Sequence, residues 1–421
     1  MNQTSERNWA GNYRYAAPIA HPTSIAEVQQ LVSAASRVRA LGSRHSFNAI
    51  ADSPGTLVAL DRVDDAIVIH PAARSVEVSG GTTYGTLAVE LQRQGYALHN
   101  LASLPHISVA GAIATGTHGS GDQNGSLATA VSALEIVTAT GELLRVDRST
   151  PDFAGTVVAL GALGIVTRVT LDIQPSFNVR QFVYENLPWS RVLENFDAVT
   201  SSAYSVSLFT DWRGDAVDQA WVKSRGTDFS GDPTFFGGTA AAVGRHPLPG
   251  ISAINCTEQL GVAGPWSERL AHFRMAFTPS NGDELQSEYH VPREHAVAAI
   301  EAMRALSARI APLLLVSEIR SVATDDLWLS PSYQRAGVAL HFTWKPEQAA
   351  VEALLPDLEA ALAPFAVRPH WGKLFQTDAA TLATSFPRLG DFRALADRLD
   401  PAGKFRNDFL ERTVFGVSAR V

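Results

Sequence analysis

His45 stands in the run Leu41-Gly42-Ser43-Arg44-His45-Ser46-Phe47-Asn48, directly after the apolar stretch Val38-Arg39-Ala40-Leu41. A loop of this kind leaving a strand offers small residues, free backbone N–H groups and one nucleophilic imidazole. Free N–H groups in a turn can hold a pyrophosphate. A neutral imidazole nitrogen can attack an electrophilic carbon, and histidine is the side chain that is readily neutral near pH 7. The alternative is a histidine that only hydrogen-bonds in a turn.

A second set of reactive groups lies far along the chain. Leu313-Leu314-Leu315-Val316-Ser317-Glu318-Ile319-Arg320 reads as a buried strand that turns polar. Glu318 and Arg320 are two apart and share one face. In the strand Gly337–Trp344, His341 and Thr343 share a face while Leu340, Phe342 and Trp344 take the other. Should these strands pair, one face presents Glu, Arg, His and Thr together. Charges on an otherwise apolar strand are costly unless partnered, so a structural Glu–Arg ion pair or a solvated sheet face competes with a catalytic role. Lys373, in Arg368-Pro369-His370-Trp371-Gly372-Lys373, is open to the same two interpretations.

The elements that must position these groups are legible in outline. Ser24 and Glu27 stand at capping-box spacing and open a helix that carries Val28, Leu31 and Val32 inward. Ser75–Ser79 alternates as a strand and leads to Gly80-Gly81 and a helix from Tyr84 to Gln94, stopped by Gly95. Leu134–Thr138 and Glu142–Val146 flank Thr140-Gly141 as a hairpin, and Gly164–Leu171 is a further strand. After Pro175-Ser176 the chain turns to aromatic-rich short strands such as Tyr204–Phe209, then to long amphipathic helices over Arg293–Ile310 and Glu347–Leu362. At 421 residues, two domains are expected. The net charge of −8 and the lack of a Lys/Arg block argue against nucleic acid as a partner. One cysteine, Cys256, excludes an internal disulfide framework. The first seven residues carry no apolar signal core and no apolar run is long enough to span a bilayer, so a cytoplasmic location is expected.

The run Gly116-Thr117-His118-Gly119-Ser120-Gly121 lacks G-x-G-x-x-G spacing, and no P-loop occurs. What remains are three loops of small residues: Gly42–Ser46, Gly80–Thr83 and Ser103–Gly121. Residues this small let backbone approach a flat, extended ligand. One such loop would suggest a tightly packed turn; three favour a large cofactor.

The runs SRHSFN, GGTTYGTL, NLASLPHISVAGAIATGTHGSG and GALGIVT, with SEIR, HFTW, RPHWGK and DPAGKF further on, resemble the vanillyl-alcohol-oxidase family of flavoproteins, nearest its bacterial polyol-oxidising group. The resemblance implies an α+β fold with a PCMH-type FAD-binding domain over 1–176, a substrate domain with an antiparallel sheet over 177–378, and a C-terminal segment, 379–421, returning to the FAD domain. It implies FAD bonded covalently to His45, with Ala40, Leu41, Gly42, Ser43, Arg44, Ser46, Ser103, Ser108, Gly111, Ala114, Thr115, Gly116, Thr117 and Val166 holding the rest of the cofactor. Arg44 departs from the family, in which a small residue is common there, and it could pair with the pyrophosphate or crowd it. A second link through Cys256 is implausible because that residue lies in the substrate region.

The resemblance further places Ser103, Glu318, Arg320, Thr343 and Lys373 around the substrate, with Arg320, Lys373 and His341 as the catalytic set. Fixed charged and hydroxyl partners suit a polyol, whose hydroxyls both donate and accept. Cations beside the reacting oxygen favour alkoxide character as hydride leaves. The implied reaction takes a terminal primary hydroxyl of a polyol of the xylitol or sorbitol class to the aldose, with O2 reduced to H2O2. Ala102 is implied to lie where O2 must reach the flavin; a small residue there goes with oxidases, although Ala102 could equally just pack a turn. The alternatives are a dehydrogenase of the same fold with a quinone or cytochrome acceptor, and a flavin-binding protein without turnover. The expected partners are a polyol and O2, with no nucleic acid, membrane or metal, and the chain is expected to be a monomer.

Overall fold

The computed structural model describes residues 6–277 and 283–416. Residues 1–5, part of the stretch expected to lack a signal core, lie outside the described residues. Helix α1 (Ile25–Ala34) starts at Ser24, whose hydroxyl accepts from the Glu27 N–H, and buries Val28 and Val32. The Glu27 carboxylate reaches back to the Thr23 N–H at 2.7 Å, one residue before the position a capping box uses. Strand β1 (Val38–Ala40) lies parallel to Thr56–Val58, which also pairs with Ile19–Ala20. This small parallel sheet fixes the point at which the His45 loop departs.

Strand β2 (Ser75–Ser79) leads into α2 (Tyr84–Arg93), and Gly95, at φ +79°, follows the helix end. Within the stretch expected to be a loop, Val109–Ala114 forms a short helix, α3. Its sequence alternates small and apolar residues so that Val109, Ala112 and Ile113 bury on one side, a helical spacing too short to stand out by periodicity. Strands β3 (Val131–Val137) and β4 (Ile165–Asp172) complete an antiparallel sheet in the order Val68–His70, β2, β4, β3, Leu143–Asp147. The expected hairpin turn contains Gly141 at φ +86°.

The largest sheet has ten strands among the described residues, and every pairing in it is antiparallel. Its centre contains β5 (Asn178–Pro188), β6 (Ser205–Thr210), β7 (Ala216–Arg225), β8 (Leu285–Pro292), β9 (Leu314–Val322) and β10 (Gly337–Trp344). The order there is β5-β7-β6-β9-β10-β8, and Arg368–Pro369 pairs at the far side of β8. One face buries Leu285, Tyr289, Leu340 and Phe342 against α4 (Ala296–Ala305) and α5 (Gln348–Leu362). The single helix expected over Arg293–Ile310 is instead a 3₁₀ turn at Arg293–His295, α4, and a last turn at Ser307–Ile310. The break falls at Leu306 (φ −92°, ψ 5°), and beyond it Ile310 packs fully into the core. Helix α6 (Leu389–Leu399) places Leu389, Phe392 and Leu395 in the same apolar core as Val76, Leu87 and Leu134. No described helix is long and apolar enough to cross a membrane.

Candidate active site

A cavity of about 300 Å³ runs between the small-residue loops and the open face of the ten-stranded sheet. Every residue from Ala40 to Ser46 lines it, as do Ala102, Ser103, Ser108, Gly111, Ala114, Thr115, Thr117 and Val166. Gly116 does not. It sits at φ +70°, where an added Cβ would lie 3.1 Å from Pro331, so it shapes the turn behind the wall. Two other glycines let the loops close on Ser108, since a Cβ at Gly42 or Gly111 would come within 2.6 or 2.8 Å of the Ser108 hydroxyl. Ser43 Oγ in turn accepts from the Ser108 N–H at 3.0 Å.

The His45 loop is held from outside. The Trp9 N–H donates to the Arg44 carbonyl at 2.9 Å, Asn8 Nδ2 to the Ser46 carbonyl at 2.9 Å, and Asn12 Nδ2 to the Phe47 carbonyl at 2.9 Å. Arg44, in left-handed backbone at φ +64°, turns its guanidinium to Glu6 at 2.9 Å. That pairing answers the question its bulk raised, since the side chain is anchored on the N-terminal segment. The Trp9 and His45 rings stack with centroids 5.2 Å apart. Burial, with a smaller contribution from His106, lowers the His45 pKa to about 4, so the imidazole is neutral and nucleophilic at physiological pH. The backbone N–H groups of Gly42, Arg44, His45 and Ser46 find no partner among the described residues. Such groups beside a neutral imidazole and small-residue walls fit a dinucleotide with an extended diphosphate.

The opposite wall is charged. Strands β9 and β10 meet the condition by pairing, with Glu318 opposite His341. Glu318 and Arg320 are 4% and 5% exposed, which rules out a solvated sheet face. The centre of this wall is Glu288 on β8, also in register with His341. One oxygen of its carboxylate, Oε2, accepts from Arg320 Nη2 at 2.6 Å and Lys373 Nζ at 2.8 Å. Its other oxygen, Oε1, meets His118 Nε2 at 2.8 Å and lies 3.3 Å from His290 Nε2. Burial alone would raise the Glu288 pKa, but Lys373, Arg320 and His118 together hold it well below the usual carboxylate range. Burial also pulls Lys373 below the ordinary lysine value, although Glu288 counters it. Lys373 Nζ lies 2.7 Å from His341 Nδ1, a nitrogen that is also 3.0 Å from Glu288 Oε2, so lysine, imidazole and carboxylate meet at one point. The other ring nitrogen, Nε2, lies 3.0 Å from Thr343 Oγ1.

Glu318 is fastened separately, by His272 Nε2 at 2.7 Å, with Arg320 Nε 3.6 Å away. The cavity thus brings Ser103, Glu318, Arg320, His341, Thr343 and Lys373 together. Sequence inspection missed Glu288, His118 and His272. The first had a readable signal: Glu284, Gln286, Glu288 and His290 alternate with Leu285, Ser287, Tyr289 and Val291, the period of a strand with one polar face. His118 was concealed in a glycine-rich run, and His272 lies in an irregular segment. Ligand atoms of His118, Glu288 and His290 lie within 4.8 Å of one another, as a metal site would require. The two cations already held on Glu288 oppose a third.

Comparison with known proteins agrees with this geometry. Residues 16–147 match the family model "FAD binding domain", and residues 278–413 match "D-arabinono-1,4-lactone oxidase". The chain is 48% identical to the alditol oxidase of Streptomyces sp. (strain IKD472), across 98% of this chain and 100% of that protein. It is 29% identical to the L-gulono-1,4-lactone dehydrogenase of Mycobacterium tuberculosis, across 97% of this chain and 98% of that one. Among solved structures, cholesterol oxidase from B. sterolicum superposes with a TM-score of 0.78 at 15% identity, covering 97% of this chain and 96% of that one. Small-residue loops around a neutral histidine, a facing charged sheet and near-full-length similarity to an alditol oxidase thus place this FAD-dependent chain in the vanillyl-alcohol-oxidase family of oxidoreductases.

Proposed function

We propose that the chain is a covalent-FAD alditol oxidase, taking the terminal primary hydroxyl of a polyol to the aldehyde with O2 reduced to H2O2. The observation that carries this is the composition of the charged wall. Two buried carboxylates, Arg320 and Lys373 stand beside the hydroxyls of Ser103 and Thr343 in one cavity. Glu288 and Glu318 offset these two cations, and Glu284 adds a third buried carboxylate to the lining, so the wall offers both donors and acceptors to a hydroxyl-rich substrate. The chemistry supplied by bound FAD is acceptance of the hydride, with O2 as the final oxidant. His45 is the attachment point, and the N–H groups of Gly42, Arg44, His45 and Ser46 hold the diphosphate.

Arg320 and Lys373 bind the reacting oxygen and stabilise the alkoxide character it gains as its proton leaves, the proton and the hydride from carbon ending together in H2O2. Glu288 keeps both cations in place from behind. Glu318 accepts from a hydroxyl further along the chain, while Thr343 and Ser103 donate or accept at others. Ala102, 6% exposed and on the cavity wall, leaves room for O2, which favours an oxidase over a dehydrogenase. We further propose that residues 1–176 and 379–421 form the cofactor domain and 177–378 the substrate domain, matching the two sheets, and that the protein is a cytoplasmic monomer.

The test is a panel of C3 to C6 polyols assayed for peroxide together with anaerobic flavin bleaching. Bleaching by a polyol with stoichiometric H2O2 in air is expected. Bleaching without peroxide would make the chain a dehydrogenase, and no bleaching by any polyol would overturn the proposal.

A further inference from the structure

Lys223, on β7, is a cationic side chain enclosed by protein, at 1% exposure. Each of its three N–H bonds has an acceptor: the carbonyl of Leu270, the carbonyl of Ala271 at 3.1 Å, and His272 Nδ1 at 3.1 Å. An ammonium has no lone pair, so Nδ1 must be the acceptor and the ring proton must sit on Nε2. That proton is donated to Glu318 Oε1 at 2.7 Å. The imidazole is also wedged edge-on against Trp221 and Phe209, with centroids 5.1 and 5.6 Å away. His272 and Glu318 line the cavity; Lys223 does not.

We infer that Lys223 is a positioning residue for substrate specificity: through His272 it holds Glu318 as a fixed, ionised acceptor for one substrate hydroxyl. The inference rests on the proposed role of Glu318 toward a polyol. The arrangement inverts the familiar carboxylate–imidazole–hydroxyl order, because here a cation sets the tautomer and a carboxylate is what the ring presents. Without the ammonium, a proton can settle on Nδ1 and leave a bare Nε2 lone pair facing the Glu318 carboxylate, which loses its hydrogen bond and is repelled. A fixed anion accepts from a hydroxyl but offers nothing to a carbonyl oxygen, so Lys223 favours open-chain polyols over ligands that place a carbonyl there.

Protonation of the lysine supplies an independent handle. Burial lowers its pKa to about 7, against the pull of Glu318. The titratable groups facing it are His272, Glu318 and Cys256. Burial holds the His272 pKa at about 4 and pushes the Cys256 thiol up to about 12. Glu318 is held below the ordinary carboxylate value. Lys223 alone of these groups therefore changes charge between pH 6 and 9. It is charged below pH 7 and neutral above, so polyol KM should rise as pH passes upward through 7.

The experiment uses the holoenzyme with xylitol and a set of mono-deoxy analogues between pH 6 and 9, comparing wild type with Lys223→Met. The variant is expected to raise the xylitol KM about tenfold at pH 6, the scale of one hydrogen bond to a charged group, with kcat little changed. At least one deoxy analogue, the one lacking the hydroxyl that meets Glu318, should be indifferent to the substitution. The rise of KM above pH 7 should vanish in the variant. Equal losses for every substrate, or a pH limb that persists in Lys223→Met, would overturn the inference. If that variant does not fold, His272→Gln and His272→Phe replace it. The amide can donate to Glu318 without help and should keep a low KM at all pH values, whereas Phe should show the raised KM; the same KM in both overturns the inference. Wild-type protein that turns over no polyol overturns the proposed function and this inference together.

Discussion

The two walls of the cavity are built on opposite principles. The wall around His45 is made of backbone and small side chains from three contiguous loops, and it carries no charge facing the cavity that is not tied back. The wall around Glu288 is made of long charged side chains from β8, β9, the Lys373 loop and the His118 turn, drawn from positions up to 255 residues apart (118 to 373). The first wall offers a ligand free N–H groups. The second offers it paired charges, most of them gathered on the one carboxylate of Glu288. Damage to the first should therefore be local, while damage to the second should spread.

The sharpest test on the cofactor side is His45→Ala. Flavin absorbance is expected to pellet with the acid-precipitated wild type and to move entirely to the supernatant in the variant. Free FAD above the wild-type pellet would break the assignment. On the charged side, Glu288→Gln keeps the shape but leaves Arg320 and Lys373 uncompensated. It should lower kcat/KM by about 10³-fold and destabilise the protein by about 3–5 kcal/mol, the cost of breaking a buried ion pair. Lys373→Met removes one cation and leaves the carboxylate partnered by Arg320, so kcat/KM should fall by about 10²-fold with flavin content and melting temperature near wild type. If the two variants lose stability equally, the Glu288 hub is not the organiser of this wall. The smallest effect is expected from Ala102→Pro, which should slow reoxidation of reduced flavin by O2 in stopped flow while anaerobic reduction by polyol changes less. Slowing of both half-reactions together would show that Ala102 only packs a turn.

The difference between the walls also explains what could be read from the chain. The His45 loop, its strand and the Ser108 loop are local patterns of small residues, visible as runs. Glu318, Arg320, His341 and Thr343 were readable because a strand places alternate residues on one face, and the apolar companions marked which face that was. Pairing of the two strands could be posed as a condition but not decided. Glu288 is harder to read even though its strand alternates, because polar Ser287 interrupts the apolar face that would mark the other one as a site. His272 and Lys223 were beyond reach: one lies in irregular chain, and the other reads as an ordinary charged residue until the fold closes over it. The helix α3 and the break at Leu306 were lost to the shortness of the first and the continuous apolar pattern across the second.

The N-terminal clamp on the His45 loop has a practical consequence for anyone handling the protein. Glu6, Asn8, Trp9 and Asn12 secure four successive residues of that loop, from Arg44 to Phe47. A purification tag or reporter fused ahead of Glu6 would be tethered within a few residues of the contacts that hold the proposed attachment loop. Its bulk or a stiff linker would act as a lever on the stacked indole and imidazole. Incomplete flavin loading in such a fusion would then be an artefact of the handle and not a property of the enzyme.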